Sequence, residues 1–224
     1  MKIIAFTFAG GNKYSFRKFT DIINNFIVIE YPGRGLRMSE YLFTELDAIV
    51  EDLFLIVQKE ITSTQNYVIY GHSMGALVAY LICHKINELK IMSPKKLIFS
   101  GKKSPVIIKK NKISKQPDEI FWKEVVKIGG IPDELLGYPE LIDFYLPILK
   151  ADFTAIENYQ YEKKEKLTIP IDVFYGSEEA SEEEMLGWKE ETTEKVTITQ
   201  LKGNHFFIFN HIDFFTNYFK NLEL

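Results

Sequence analysis

A chain of 224 residues with 46% hydrophobic content is long enough for one well-buried domain and short for two. The net charge of −4 gives no electrostatic reason to expect nucleic acid, and the single cysteine, Cys83, excludes an intrachain disulfide. No apolar run approaches the ~20 residues needed to span a bilayer, so a cytoplasmic domain with no membrane partner is expected.

Lys2 followed by Ile3-Ile4-Ala5-Phe6-Thr7-Phe8-Ala9 has the outline of a short signal peptide. Its basic region is one residue and its apolar run is minimal, so a buried first strand over Ile3–Phe8, closed by Gly10-Gly11, is the better reading. Phe26–Glu30 reads as a second strand, followed by the turn-rich Tyr31-Pro32-Gly33-Arg34-Gly35. Leu42, Leu46, Ile49, Val50, Leu53, Phe54 and Val57 recur at helical spacing. Tyr67–Tyr70 is a strand, Gly71-His72-Ser73-Met74-Gly75 a sharp turn, and Ala76–Cys83 an apolar helix. Cys83 is expected to be a small core residue. Lys96–Ser100 is the next strand, closed by Gly101.

From Lys102 to about Lys166 no strand pattern appears. Helical pieces are expected around Ile120–Ile128 and Leu141–Tyr161, broken by Gly129-Gly130-Ile131-Pro132 and by Pro147. An all-helical insert at 102–166, within a single domain spanning 1–224, reads as a lid. Its apolar residues Phe121, Trp122, Leu135, Leu136, Phe144, Tyr145, Leu146 and Phe153 divide between core and an acyl pocket in a way the sequence does not reveal. The sheet resumes at Ile169–Tyr175, before Gly176. Ser181–Thr192 reads as a helix with Ser181 and Glu184 as a capping box. Val196–Leu201 is the last strand, and Phe206–Leu222 a closing helix. Strands alternating with helices predict a mostly parallel sheet covered on both faces.

Strand, Gly-His-Ser-Met-Gly and helix together read as the nucleophile elbow of an α/β-hydrolase, against the plain alternative of a Gly-Ser turn. Gly71 and Gly75 let the two elements approach closely around Ser73. A serine hydroxyl needs a histidine base that a carboxylate orients, in the chain order serine, acid, histidine. His72 lies in the elbow, His84 on the following helix and His211 in the closing helix. His205, in the loop after the last strand, is therefore the expected base. The acid should follow the strand ending at Gly176. Glu179 and Glu178 lie there, Glu182, Glu183 and Glu184 fit a helix's first turn, Asp172 lies within the strand, and Asp152 lies in the insert. Backbone N–H groups of Met74 and of the Ala9-Gly10 turn are the candidate oxyanion donors.

The chain resembles the type II thioesterases of nonribosomal peptide and polyketide assembly lines. The resemblance rests on an ordered set spanning nearly the whole length. It comprises Phe8-Ala9-Gly10-Gly11, Pro32-Gly33-Arg34-Gly35 with Arg37, Gly71-His72-Ser73-Met74-Gly75-Ala76, and Ser100-Gly101. It continues through Gly129-Gly130 with Pro132, Glu134 and Leu135, then Leu149-Lys150-Ala151-Asp152-Phe153 with Glu157 and Tyr159. Trp188 and Gly203-Asn204-His205-Phe206-Phe207 complete it. The resemblance implies an α/β-hydrolase with a helical lid, clearing acyl groups from the phosphopantetheine arms of carrier proteins with no metal or redox cofactor. It departs at two places. Glu179 stands where the family usually has aspartate, which demands a shifted loop, and Thr7 stands where proline is common.

Lys102, Lys103, Lys109, Lys110, Lys112 and Lys115 fall in one stretch with no acidic residue between them. Carrier proteins are typically acidic, so Lys109, Lys110 and Lys112 are candidate docking residues, with a solvated loop as the plain alternative. Two other functions are open: a medium-chain acyl-carrier-protein hydrolase of fatty-acid synthesis, and a non-catalytic carrier-binding module. A monomer is expected.

Overall fold

The computed structural model describes residues 1–62, 66–107, 112–131 and 137–223. Six parallel strands form one sheet: β1 (Lys2–Phe6), β2 (Phe26–Val28), β3 (Tyr67–His72), β4 (Leu97–Ser100), β5 (Ile171–Gly176) and β6 (Val196–Leu201). Their spatial order is β2-β1-β3-β4-β5-β6, and every pairing is parallel. Alternate residues of β1 face opposite sides, as strand geometry requires. Ile4 and Phe6 join the core beneath α2 (Leu46–Thr62) and α3 (Met74–Glu88), whereas Ile3 and Ala5 join the core beneath α1 (Arg17–Thr20) and α7 (Ile212–Lys220). Burial on both faces explains why the central strands β1, β3, β4 and β5 read as continuous apolar runs, whereas the edge strand β6 (Val-Thr-Ile-Thr-Gln-Leu) has no buried residue and alternates. Cys83 is fully buried within the first of these cores.

The chain leaves β1 toward β2 on one side and returns to place β3 on the other. The carboxyl ends of β1 and β3 therefore flank the point where strand order reverses, the place where open α/β sheets bind ligands. Phe8-Ala9-Gly10 and Ser73 both emerge there, because Phe6 pairs with Gly71 in register.

Between β4 and β5 lie α4 (Asp118–Ile128) and α5 (Pro139–Asn158), and no strand occurs among the described residues of the insert. Pro147 does not break α5, contrary to the expectation from sequence. Asp143 and Pro147 are both exposed, so water can satisfy the carbonyl that the missing N–H leaves unbonded. Burial changes along α5, and its fully buried residues begin at Ile148. Phe121, Val125 and Leu149 form a small core of their own, with Trp122, Tyr145 and Phe153 packed around it. Phe144 is exposed, and Pro132, Glu134, Leu135 and Leu136 lie outside the described residues.

Two helices are shorter than their periodicity suggests. The Ser181/Glu184 capping box is present, but α6 covers only Glu182–Leu186 and tightens into a 3-10 turn over Gly187–Glu190. A side chain at Gly187 would overlap Ser104, so glycine lets this turn pack against the start of the insert. The closing segment is a 3-10 turn over Phe207–Phe209, followed by α7 from Ile212. His211 thus precedes α7 rather than lying within it, and its Nε2 meets the Lys202 carbonyl at 2.8 Å. No helix among the described residues is long and apolar enough to cross a membrane.

Candidate active site

Ser73 has φ 56° and ψ −116°, a left-handed conformation that is rare for a residue with a side chain. Its surroundings impose the strain. The Ser73 N–H donates to the Ser100 carbonyl at 2.8 Å, which ties the turn to β4. A Cβ on Gly71 would overlap the Gly75 carbonyl, and one on Gly75 would overlap the Phe6 and Thr7 carbonyls. These obstacles are backbone atoms, which cannot rotate away as a side chain can. Gly75→Ala is therefore expected to destabilise the fold by about 3 kcal/mol. The expected result is a lower urea midpoint at unchanged m-value, and parental stability would contradict this account of the elbow.

Ser73 Oγ lies 2.8 Å from His205 Nε2, and His205 Nδ1 lies 2.5 Å from Glu179 Oε2. The three residues follow β3, β5 and β6. The β5–β6 register continues into their loops, where Ser177 N–H donates to Leu201 at 2.8 Å and Glu178 N–H to Gly203 at 3.0 Å. A Cβ on Gly176 would overlap the Gly203 and Asn204 carbonyls, so glycine is what lets the two loops meet. The second carboxylate oxygen of Glu179 accepts the Gly176 N–H at 2.8 Å. That bond turns the side chain back along its own loop and takes up the methylene that aspartate lacks. Glu179 and His205 are largely buried, with 12% and 19% of their side-chain surface exposed, whereas Glu178 is exposed.

The other candidate acids have different partners. Asp172 accepts from Lys96 at 2.7 Å and from the Tyr218 hydroxyl at 2.6 Å, facing away from His205. Glu184 caps α6 and pairs with Lys103. Asp152 is fully buried, but its partner is Arg34. Arg34 Nη1 donates to Oδ2 at 2.5 Å and Nη2 to Oδ1 at 2.7 Å. Oδ2 also accepts the Gly10 N–H at 2.7 Å. This corrects the reading of Gly10 as an oxyanion donor, because that N–H is already engaged. The Ala9 N–H has no backbone partner among the described residues. Met74 opens α3, so its N–H has no carbonyl one turn back within the helix.

His72 was passed over in the sequence because it sits inside the elbow motif. It is buried against the site, its ring 5.2 Å from that of His205. Its Nδ1 meets Ser100 Oγ at 2.8 Å, and that oxygen meets the Tyr70 hydroxyl at 2.9 Å. Burial, reinforced by the neighbouring His205, holds His72 well below the usual imidazole range and therefore neutral.

A small cavity of about 50 Å³ contains Ser73 and His205, walled by Val125, Ile128, Phe153 and Phe206. A larger one of about 770 Å³ lacks Ser73 and lies between the insert (Trp122, Leu141, Tyr145) and the body (Phe8, Tyr14, Phe209). Phe8, Ala9, Gly130, Ile131 and Leu149 line both, so the two cavities adjoin. Of the lysine stretch, Lys103 is paired with Glu184, and exposed Lys112 donates to Asn158 at 3.2 Å. Lys109 and Lys110 lie outside the described residues.

A thioesterase domain family model matches residues 1–223. The gramicidin S biosynthesis protein GrsT of Aneurinibacillus migulanus is 30% identical over 217 residues, covering 93% of this chain and 83% of that one. The medium-chain S-acyl fatty acid synthase thioesterase of Rattus norvegicus is 26% identical, covering 100% of this chain and 88% of that one. The crystal structure of ClbQ from the colibactin NRPS/PKS pathway superposes with a TM-score of 0.91 at 28% identity, covering 98% of this chain and 95% of that one. An all-parallel sheet, a strained serine between β3 and α3, and a family match along nearly the whole chain agree: the protein belongs to the thioesterase family and has the α/β-hydrolase fold.

Proposed function

We propose that the protein is a type II thioesterase of a nonribosomal peptide or polyketide pathway. In this reading it hydrolyses acyl groups from the phosphopantetheine arm of a carrier protein, with Ser73, His205 and Glu179 as its triad. The observation that carries the reading is the unbroken relay from Glu179 through His205 to Ser73. His205 Nε2 takes the Ser73 proton as Oγ attacks the thioester carbonyl, while Glu179 holds Nδ1–H and stabilises the imidazolium. The N–H groups of Met74 and Ala9 receive the charge that develops on the carbonyl oxygen. The departing sulfur has a free-thiol pKa of about 8.5, so it leaves readily and takes up the proton from His205 Nε2, which returns the imidazole to its basic form. His205 then activates water against the acyl-enzyme. Each step uses side chains and backbone groups of this chain and asks for no cofactor.

The α4–α5 insert acts as the lid. Acyl preference separates this reading from a medium-chain fatty-acid hydrolase, because both families are represented among the relatives. The confined space of about 50 Å³ at Ser73 favours short acyl groups, provided that the chain does not extend into the adjoining cavity of about 770 Å³. Comparing short-chain and medium-chain acyl groups on one carrier protein tests this, and a strong medium-chain preference would favour the alternative.

The lysine stretch would steer an acidic carrier protein through a long-range attraction, with a Debye length of ~8 Å at physiological salt. Replacing Lys109, Lys110 and Lys112 by glutamate is expected to lower kcat/KM on acyl-carrier protein. The loss should shrink at high salt, with little change on a small uncharged thioester. Equal losses on both substrates would point to a damaged lid, and no loss to an ordinary solvated loop.

A further inference from the structure

Asp152 is a buried carboxylate that the hydrolytic relay does not use. It lies on α5, one turn beyond Leu149, so both side chains share a helix face. That face closes on one residue, Gly10. Leu149 packs against its α-carbon, where an added Cβ would sit 2.6 Å from Leu149 Cδ2. Asp152 Oδ2 accepts its N–H at 2.7 Å. Gly10 has φ +77°, a conformation only glycine adopts freely, so the grip holds a backbone that could otherwise rearrange. Arg34 completes the clamp with its two bonds to the same carboxylate, and the pair is almost wholly buried at 4% and 0% exposure. The loop that carries Arg34 also holds the turn from its other side, where the Tyr31 hydroxyl donates to the Thr7 carbonyl at 3.1 Å.

The consequence falls on Ala9. Fixing the Gly10 N–H fixes the peptide plane between Ala9 and Gly10. Ala9 shares the small cavity with Ser73. The Ala9 N–H itself belongs to the Phe8–Ala9 peptide, whose carbonyl accepts the Gly11 N–H at 2.9 Å. We propose that Asp152, held by Arg34, is a positioning residue that preforms the oxyanion hole: by fixing the adjoining Ala9–Gly10 peptide it holds the turn that aims the Ala9 N–H. The buried half of α5 is thereby tied to the catalytic loop, while its exposed half before Ile148 remains outside the clamp. The inference rests on the hydrolase reading of Ser73.

Removing one member of a buried pair strands the other charge, so the test replaces both. Arg34→Met with Asp152→Leu fills the space with apolar groups and leaves Gly10 N–H without an acceptor. Arg34→Gln with Asp152→Asn is also neutral but keeps an amide oxygen for Gly10. The substrate is a short acyl thioester of N-acetylcysteamine, with thermal unfolding as the check on folding. The apolar pair is expected to lose kcat on the order of 10²-fold with KM little changed, since an oxyanion donor acts only in the transition state. The amide pair should recover most of that loss. Parental kcat in the apolar pair, or equal losses in both pairs, overturns the proposal.

Should the apolar pair not fold, amide exchange in the parent decides the question. The Gly10 N–H is expected to exchange slowly, and to shift its proton resonance in the Arg34→Gln/Asp152→Asn protein. Exchange as fast as an unbonded loop amide overturns the clamp. Equal turnover by parent and Ser73→Ala would contradict the hydrolase reading itself, which the exchange measurement does not depend on.

Discussion

Ser73→Ala is expected to lower thioester hydrolysis by about 10⁶-fold, the scale seen when a hydrolytic serine is removed from an intact relay. The serine is already 2.8 Å from its base and held in a strained turn, so its loss removes the nucleophile without disturbing the scaffold. A fluorophosphonate should add one adduct to the parent, mapped by peptide mass to Ser73, and none to the variant. The thermal midpoint of the variant should equal or exceed the parent's, because alanine presents no hydroxyl to a site built around one. Labelling at another residue, with the alanine variant still active, would remove the mechanism.

The second large effect concerns Glu179. Replacing it by glutamine keeps the shape but offers His205 a side chain that can present an amide N–H in place of an acceptor. The imidazole then loses the tautomer that leaves Nε2 free to take the serine proton. Glu179→Gln is therefore expected to slow acylation by about 10³- to 10⁴-fold. Glu178→Gln should leave the rate near the parent's, because Glu178 is exposed and only its backbone N–H joins the loop pairing. Glu179→Asp is a sharper variant. One methylene shorter, it cannot keep both the Gly176 and the His205 bond in the present loop geometry. An intermediate rate is expected. A parental rate in Glu179→Gln, with a collapse in Glu178→Gln, would transfer the role to Glu178.

The fold was legible because both kinds of signal it depends on are local. The four central strands, β1, β3, β4 and β5, are apolar runs buried on two faces, unlike amphipathic strands, and Gly71 and Gly75 mark where β3 and α3 must nearly touch. Chain order and loop placement were enough to pick out His205. The acid was harder because a row of glutamates follows β5, and which of them turns inward depends on a hydrogen bond to Gly176 that spacing does not encode.

The pairing of Asp152 with Gly10 and Arg34 was out of reach for the same reason on a larger scale. These partners lie 142 and 118 residues away, and nothing local marks them as neighbours. The sequence marked Asp152 and Arg34 as members of the motifs that carry the resemblance, and Asp152 also as a carboxylate of the insert, which is why it stood among the triad candidates. Pro147 misled in the opposite direction. Its helix-breaking tendency is real, but it was overridden because its unbonded neighbour faces water and one face of α5 beyond Pro147 is buried.

The most direct measurement follows an acyl-loaded carrier protein by intact mass in the presence of the protein. The account predicts that the carrier returns to its holo form with the phosphopantetheine arm retained, that the free acid appears in equal amount, and that Ser73→Ala abolishes both changes. A carrier that stays loaded across short and medium acyl groups, while the parent protein is folded and bound to it, would contradict the account and leave a carrier-binding module in its place.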